Sequence, residues 1–140
     1  MKKQLDEEVP TPPFVSILHR EHAKYLNDKV KDEDLSFGLF PLLIAIYRNE
    51  DIYQEELAHA FRLNESTITR NLKKLEDKGF IERIPQKRKK LIKITKKGAI
   101  TAQKVMNYDE EWDNQIIGIL GEEEYINFKS AFKKICDELM

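Results

Sequence analysis

At 140 residues, with 24 bases, 25 acids and 41% apolar side chains, the chain is the size of one domain, or of one small domain with helical extensions, and is near neutral overall. Its longest apolar run, Leu39–Tyr47, falls short of the roughly 20 residues a membrane span needs, and Met1–Val9 is charged where a secretion signal has an apolar core. One cysteine, Cys136, excludes an internal disulfide and a cysteine-rich zinc site, and the composition points to a cytoplasmic protein.

Residues 1–13 carry Pro10, Pro12 and Pro13 and are expected to be a flexible arm. Phe14, Ile17, Leu18, His22, Tyr25, Leu26 and Val30 then recur at helical spacing and predict a helix over Phe14–Val30, followed by a polar break to Leu35. Ser36 is a candidate N-cap for a helix over Leu39–Tyr47, whose apolar residues on all sides place it in the core. After a turn at Asn49–Ile52, Gln54–Phe61 reads as a small helix with Leu57, Ala58 and Phe61 inward. Arg62–Leu63 links it to a second helix that Asn64 can cap and Gly79 can end. Phe80–Ile84 and Leu91–Ile94 read as two short strands around a polar tip, Pro85–Lys90. Thr95 opens a long helix that carries Ile100, Val105, Tyr108, Trp112, Ile116 and Leu120 and stops at Gly121. Glu122–Glu124 suit the positive end of a last helix, in which Tyr125, Phe128, Phe132, Ile135 and Leu139 form a seam.

The charge is distributed unevenly. Residues 62–104 hold fourteen bases against Glu65, Glu76, Asp77 and Glu82, and the acids lie mostly outside this window. A basic block in an acidic chain is an address for a polyanion. At 100° per residue, the helix that begins near Asn64 turns Ile68, Leu72 and Leu75 to one side. It turns Ser66, Thr69, Arg70, Lys73 and Lys74 to the other. Such a helix fits a major groove, where arginine reads guanine edges. Lys87, Arg88, Lys89 and Lys90 stand on the hairpin tip just downstream, where a base can reach phosphate or the minor groove. Each part alone also reads as a solvated surface. Together they form a winged helix.

At this point the residues resemble the MarR family of transcriptional regulators. The likeness is carried by Glu56-Leu57-Ala58, by Leu63-Asn64-Glu65-Ser66-Thr67-Ile68-Thr69-Arg70, by Lys78-Gly79-Phe80-Ile81-Glu82-Arg83 and by Ile94-Thr95-Lys96-Lys97-Gly98. The resemblance implies a homodimer on a pseudo-palindromic duplex DNA operator, with Ser66, Thr67, Thr69, Arg70 and Lys73 as recognition residues and Arg88 as the wing arginine. It also implies a small aromatic acid as effector, for which His19, Arg20, Tyr25, Tyr47 and Arg48 are the candidate contacts. The chain departs from the family pattern at Gln86, where an acid usually holds the wing arginine, at Arg62, where glycine is common, and at Glu65, which often is a base.

The predicted fold is thus mainly α. A winged helix-turn-helix of three core helices and a two-stranded β-wing spans residues 36–98. It is flanked by dimerisation helices at 14–35 and 99–140. Phe14, Ile17, Leu18, Trp112, Ile116, Leu120, Phe128, Phe132, Ile135 and Leu139 are expected at the dimer interface, since two helices of one chain do not hide so much apolar surface. No nucleophile elbow, glycine-rich phosphate loop or cofactor cradle is present in the sequence, and no enzyme, cofactor or metal is expected. His19 and His22 share a helix face without a third ligand. The reading is a ligand-released repressor. The rival reading is a winged-helix protein–protein module that uses its basic face on an acidic partner.

Overall fold

The computed structural model describes residues 5–140. It contains α1 (Thr11–Lys29), α2 (Phe40–Arg48), β1 (Ile52–Tyr53), α3 (Gln54–Ala60), α4 (Glu65–Asp77), β2 (Ile81–Gln86), β3 (Lys89–Ile94), α5 (Lys96–Leu120) and α6 (Glu122–Leu139). The chain forms two compact units, one up to Met106 and one from Asn107.

The first helix starts three residues earlier than the periodicity predicts and takes in Thr11, Pro12 and Pro13, which had been assigned to the flexible arm. Proline is tolerated in a first turn because its missing N–H has no intrahelical partner to lose. Before it, the Val9 N–H donates to the Asp6 carbonyl at 3.2 Å and closes a turn. The remainder of the expected arm, residues 1–4, lies outside the described residues. Ser36 precedes a short 3-10 turn, Phe37–Leu39, and makes no side-chain cap.

The core of the first unit gathers on α2, whose Phe40, Leu42, Leu43 and Ile46 are buried, as its apolar run predicts. Around it α3 packs on α4 and β3, α4 packs on β2, and α2 packs on β3. Leu57, Ile68, Leu72 and Leu75 are wholly buried in this arrangement. Each such side chain contributes about 1.5–3 kcal/mol relative to exposure.

The wing differs from expectation. The sheet has three strands, in the order β1-β3-β2, not two. The extra strand comes from Ile52 and Tyr53, which pair with Ile92 and Leu91. A two-residue strand is too short for any periodicity to reveal. The hairpin is also tighter than a tip at Pro85–Lys90. Pro85 pairs with Lys90 and Gln86 with Lys89, which leaves only Lys87 and Arg88 in the turn. Pro85 is compatible with the ladder because β2 is an edge strand. Lys87 takes a φ of +56° to close the turn.

The exit from α4 is a Schellman motif. Gly79, at φ +82°, donates its N–H to the Glu76 carbonyl, and Phe80 donates to the Leu75 carbonyl. Thr95 then caps α5, since its Oγ1 accepts the Gly98 N–H at 3.0 Å. The same hydroxyl lies 2.6 Å from the Gly79 carbonyl oxygen, which ties the start of α5 to the end of α4. In the second unit Gly121, at φ +84°, separates α5 from α6, and the Tyr125 hydroxyl donates to Asp113 across the hairpin at 3.1 Å.

Candidate nucleic-acid interface

Three devices fix α4. Asn64 caps it, with Oδ1 accepting the Thr67 N–H at 2.8 Å and the Ser66 hydroxyl at 2.9 Å. Such a cap contributes about 1 kcal/mol. Ahead of the cap, Arg62 takes a φ of +52°, so the position where glycine is common does require the left-handed region. At the other end Glu76 grips the base of the wing. Its Oε1 accepts from Arg83 Nε at 3.1 Å and Nη2 at 2.8 Å, while Oε2 accepts the Arg83 backbone N–H at 3.1 Å. The hydrogen bonds from Arg83 hold the Glu76 carboxyl below its ordinary range. Arg83 is therefore a strut between α4 and β2, although the sequence counts it in the basic block.

The outward face of α4 carries the predicted side chains. Ser66, Arg70, Lys73 and Lys74 are exposed, and Thr67 and Thr69 are half-buried. Lys73 pairs with Asp77 at 3.1 Å across one helical turn, an exposed contact of the kind worth only about 0.3–0.5 kcal/mol. The Thr69 hydroxyl accepts a hydrogen bond from Gln54 Nε2 at 3.0 Å. Gln54 is absent from the sequence-level candidates, and nothing in its spacing marks it.

On the wing, Lys87, Arg88, Lys89 and Lys90 are all exposed. Gln86 does not hold Arg88. Instead its Oε1 accepts from the Tyr53 hydroxyl at 3.1 Å, and Lys89 Nζ sits 5.1 Å from the centre of the Tyr53 ring. The tie that an acid would make to the wing arginine is thus replaced by a clasp between the wing and β1. A cleft of about 650 Å3 lies between the wing and the helices, with Thr69 on one wall and Arg88, Lys89 and Lys90 on the other.

Most other bases of the window are occupied. Lys78 pairs with Asp34 at 2.7 Å, Lys93 with Asp51 at 2.8 Å, and Lys104 with Glu33 at 2.9 Å. Lys97 donates to the Lys78 carbonyl at 2.6 Å. Arg70, Lys74, Lys87, Arg88 and Lys90 meet no acid among the described residues. Those five cations lie on the outer face of α4 and on the wing; Lys89 on the wing and the exposed Lys96 at the start of α5 likewise meet no acid among the described residues.

The profile of the MarR family matches residues 35–90. The HTH-type transcriptional regulator BilQ of Clostridium symbiosum (strain WAL-14163) is 32% identical over 125 residues, which cover 87% of each chain. The chain belongs to the MarR family. As a member it is a DNA-binding transcriptional regulator and not an enzyme. The uncharacterised HTH-type transcriptional regulator YybA of Bacillus subtilis (strain 168) is 42% identical over 79 residues, 56% of this chain and 53% of that one. A crystal structure of MarR superposes with a TM-score of 0.86 at 26% identity, over 98% of this chain and 95% of the other. The mainly α winged-helix architecture expected from the sequence therefore stands, with the third strand added.

The remaining candidates are placed as follows. Among the dimerisation residues Phe14, Phe128, Phe132, Ile135 and Leu139 are exposed, and Ile17, Leu18, Trp112, Ile116 and Leu120 are half-buried. Of the effector candidates, Tyr47 donates its hydroxyl to Gln103 at 3.1 Å and lines a second cleft of about 350 Å3. His19 meets the edge of Phe37 at 5.9 Å, Tyr25 lies under Lys29 Nζ at 5.5 Å, and Arg20 and Arg48 are exposed. Among the described residues no group of His, Cys, Asp and Glu is arranged to hold a metal ion, and no helix is long and apolar enough to cross a membrane.

Proposed function

We propose that two copies of this chain bind one pseudo-palindromic operator and repress transcription in the cytoplasm until a small aromatic acid releases them. In each copy α4 enters a major groove through Ser66, Thr67, Thr69, Arg70 and Lys73, and the wing follows the backbone through Lys87, Arg88, Lys89 and Lys90. The observation that carries the reading is the placement of five cations that meet no acid among the described residues, Arg70, Lys74, Lys87, Arg88 and Lys90. They occupy the outer face of one helix and the tip beside it, with a cleft between them. The pairing of copies is supported by α6, of which no residue is buried although Phe128, Phe132, Ile135 and Leu139 lie along it. An apolar stripe of that length is normally covered.

Binding of a fluorescent duplex that carries an enriched site, measured across a salt series, tests the DNA reading. Each neutralised phosphate contributes a slope of about −0.9 in log affinity against log salt, so the four wing cations in each of two copies give about −7. A shallow slope, or equal affinity for an acidic polypeptide, would support the rival protein–protein module. Light scattering tests the pairing. The unaltered chain should elute at twice its mass and Phe132→Glu at its monomer mass. A monomeric unaltered chain at micromolar concentration would overturn the paired-operator reading.

A further inference from the structure

We propose that Gln54 is a specificity-determining residue, which acts by fixing the Thr69 hydroxyl as a hydrogen-bond donor toward the DNA. The proposal rests on the operator-binding reading above and deepens it. Gln54 opens α3, outside the recognition helix, yet its amide reaches across to α4 and donates from Nε2 to Thr69 Oγ1 at 3.0 Å. Its own Oε1 is buried and has no hydrogen-bond partner. A buried acceptor left unpaired costs about 1–3 kcal/mol, so the position is not one that stability alone favours. Both residues line the cleft that the wing closes from the other side.

A hydroxyl can accept and donate at once. With one of its two lone pairs taken by the Gln54 N–H and its proton unclaimed, the Thr69 hydroxyl is biased toward donating. Its proton meets no acceptor among the described residues. A hydroxyl free to rotate reads donors and acceptors alike, and one that already accepts favours an acceptor. In a major groove that means the N7 or O6 edge of a purine or the O4 of thymine, in preference to the amino group of cytosine or adenine. Gln54 touches no base in this scheme. It sets the polarity of a side chain that does.

The test is selection of duplexes from a randomised pool by the full-length chain and by Gln54→Met, Thr69→Val and the double variant. Affinities for the enriched site are then measured by fluorescence anisotropy, and thermal melts confirm that each variant is folded. Thr69→Val should weaken the enriched site about five- to tenfold, the scale of one lost hydrogen bond, and relax one base position. Gln54→Met should relax that same position, and the double variant should bind no worse than Thr69→Val. Rescue by Gln54→Asn, whose shorter amide retains the donor but not the reach, should be incomplete. Losses that multiply in the double variant, or a Gln54→Met chain with unchanged base preference, overturn the proposal alone. Enrichment of no sequence by the unaltered chain overturns the operator reading and the proposal with it.

Discussion

Gly98 provides a test of the joint that sets the wing against the helices. A methyl added there would stand 2.1 Å from the Phe80 carbonyl oxygen and 2.8 Å from Ile94 Cγ1, where real contacts stay above 3.0 Å. The nearest atom belongs to backbone and cannot swing aside, so the start of α5 and the residue before β2 must part by roughly 1 Å, an overpacking strain of about 1–3 kcal/mol. The same carbonyl accepts from the Thr95 N–H at 3.0 Å. Lengthening that bond adds about 1 kcal/mol. Alanine in a helix returns up to about 1 kcal/mol relative to glycine. The net for Gly98→Ala is a loss of about 1–3 kcal/mol, a large share of the about 5–15 kcal/mol that holds a domain of this kind together. Circular dichroism should record a melting temperature lower by about 10 °C. Gly38→Ala is the control, since an added methyl there meets nothing within 4 Å. If Gly98→Ala melts within about 2 °C of the parent, the close approach of α5 to Phe80 is not a feature of the folded chain and the argument fails.

Three further outcomes are expected. Arg70→Ala should lose sequence preference at its contacted position by about 1–3 kcal/mol, whereas Lys90→Ala should weaken all duplexes alike and flatten the salt slope by about 1. Competition binding against site variants separates the two. Tyr53→Phe removes the hydroxyl bond to Gln86 but retains the ring beneath Lys89. It should leave the melting temperature nearly unchanged and weaken operator binding about two- to threefold, the worth of one exposed hydrogen bond spent on wing position. Glu76 has a carboxyl held below its ordinary value of 4.5 by Arg83. The stabilisation it gives is present above the unfolded-state value and is lost as pH falls through the folded one. Urea melts should therefore show a gap of about 1 kcal/mol between the parent and Glu76→Gln at neutral pH that closes under acid, because the pair is partly exposed. A gap that widens on acidification contradicts the assignment.

Where the chain carries long periodic segments, the sequence is a sufficient guide. The alternation of Ile68, Leu72 and Leu75 with Ser66, Arg70 and Lys73 places α4 correctly and turns the right face outward, because a helix of thirteen residues repeats its signal several times. Asn64 and Gly79 mark its ends for local reasons, a side-chain oxygen that can replace a missing partner and a residue without Cβ. The third strand has no such repetition. Ile52 and Tyr53 become a strand only because β3 has a free edge beside them, a fact about the fold and not about those two residues. The start of α1 was hidden for the opposite reason. Three prolines suggest irregular backbone, yet two of them fall in the one turn where proline does no harm. Gln54 and Tyr53 lie beyond sequence reasoning altogether, since the partners that give them meaning are 15 and 33 residues away.

The charge pattern shows the same limit in electrostatic form. Summed along the chain, residues 62–104 look like one basic patch of fourteen cations. Folding divides them. Arg83, Lys78, Lys93 and Lys104 each meet a carboxylate within 3 Å, and three of those pairs connect elements far apart in sequence: Lys78 and Lys104 to the loop after α1, Lys93 to the turn before β1. Their field is largely cancelled within a Debye length of about 8 Å. Arg70, Lys74, Lys87, Arg88 and Lys90 have no such partner and lie where no other element of the first unit covers them. The charge left to attract a polyanion is thus smaller than the sequence total, and better aimed.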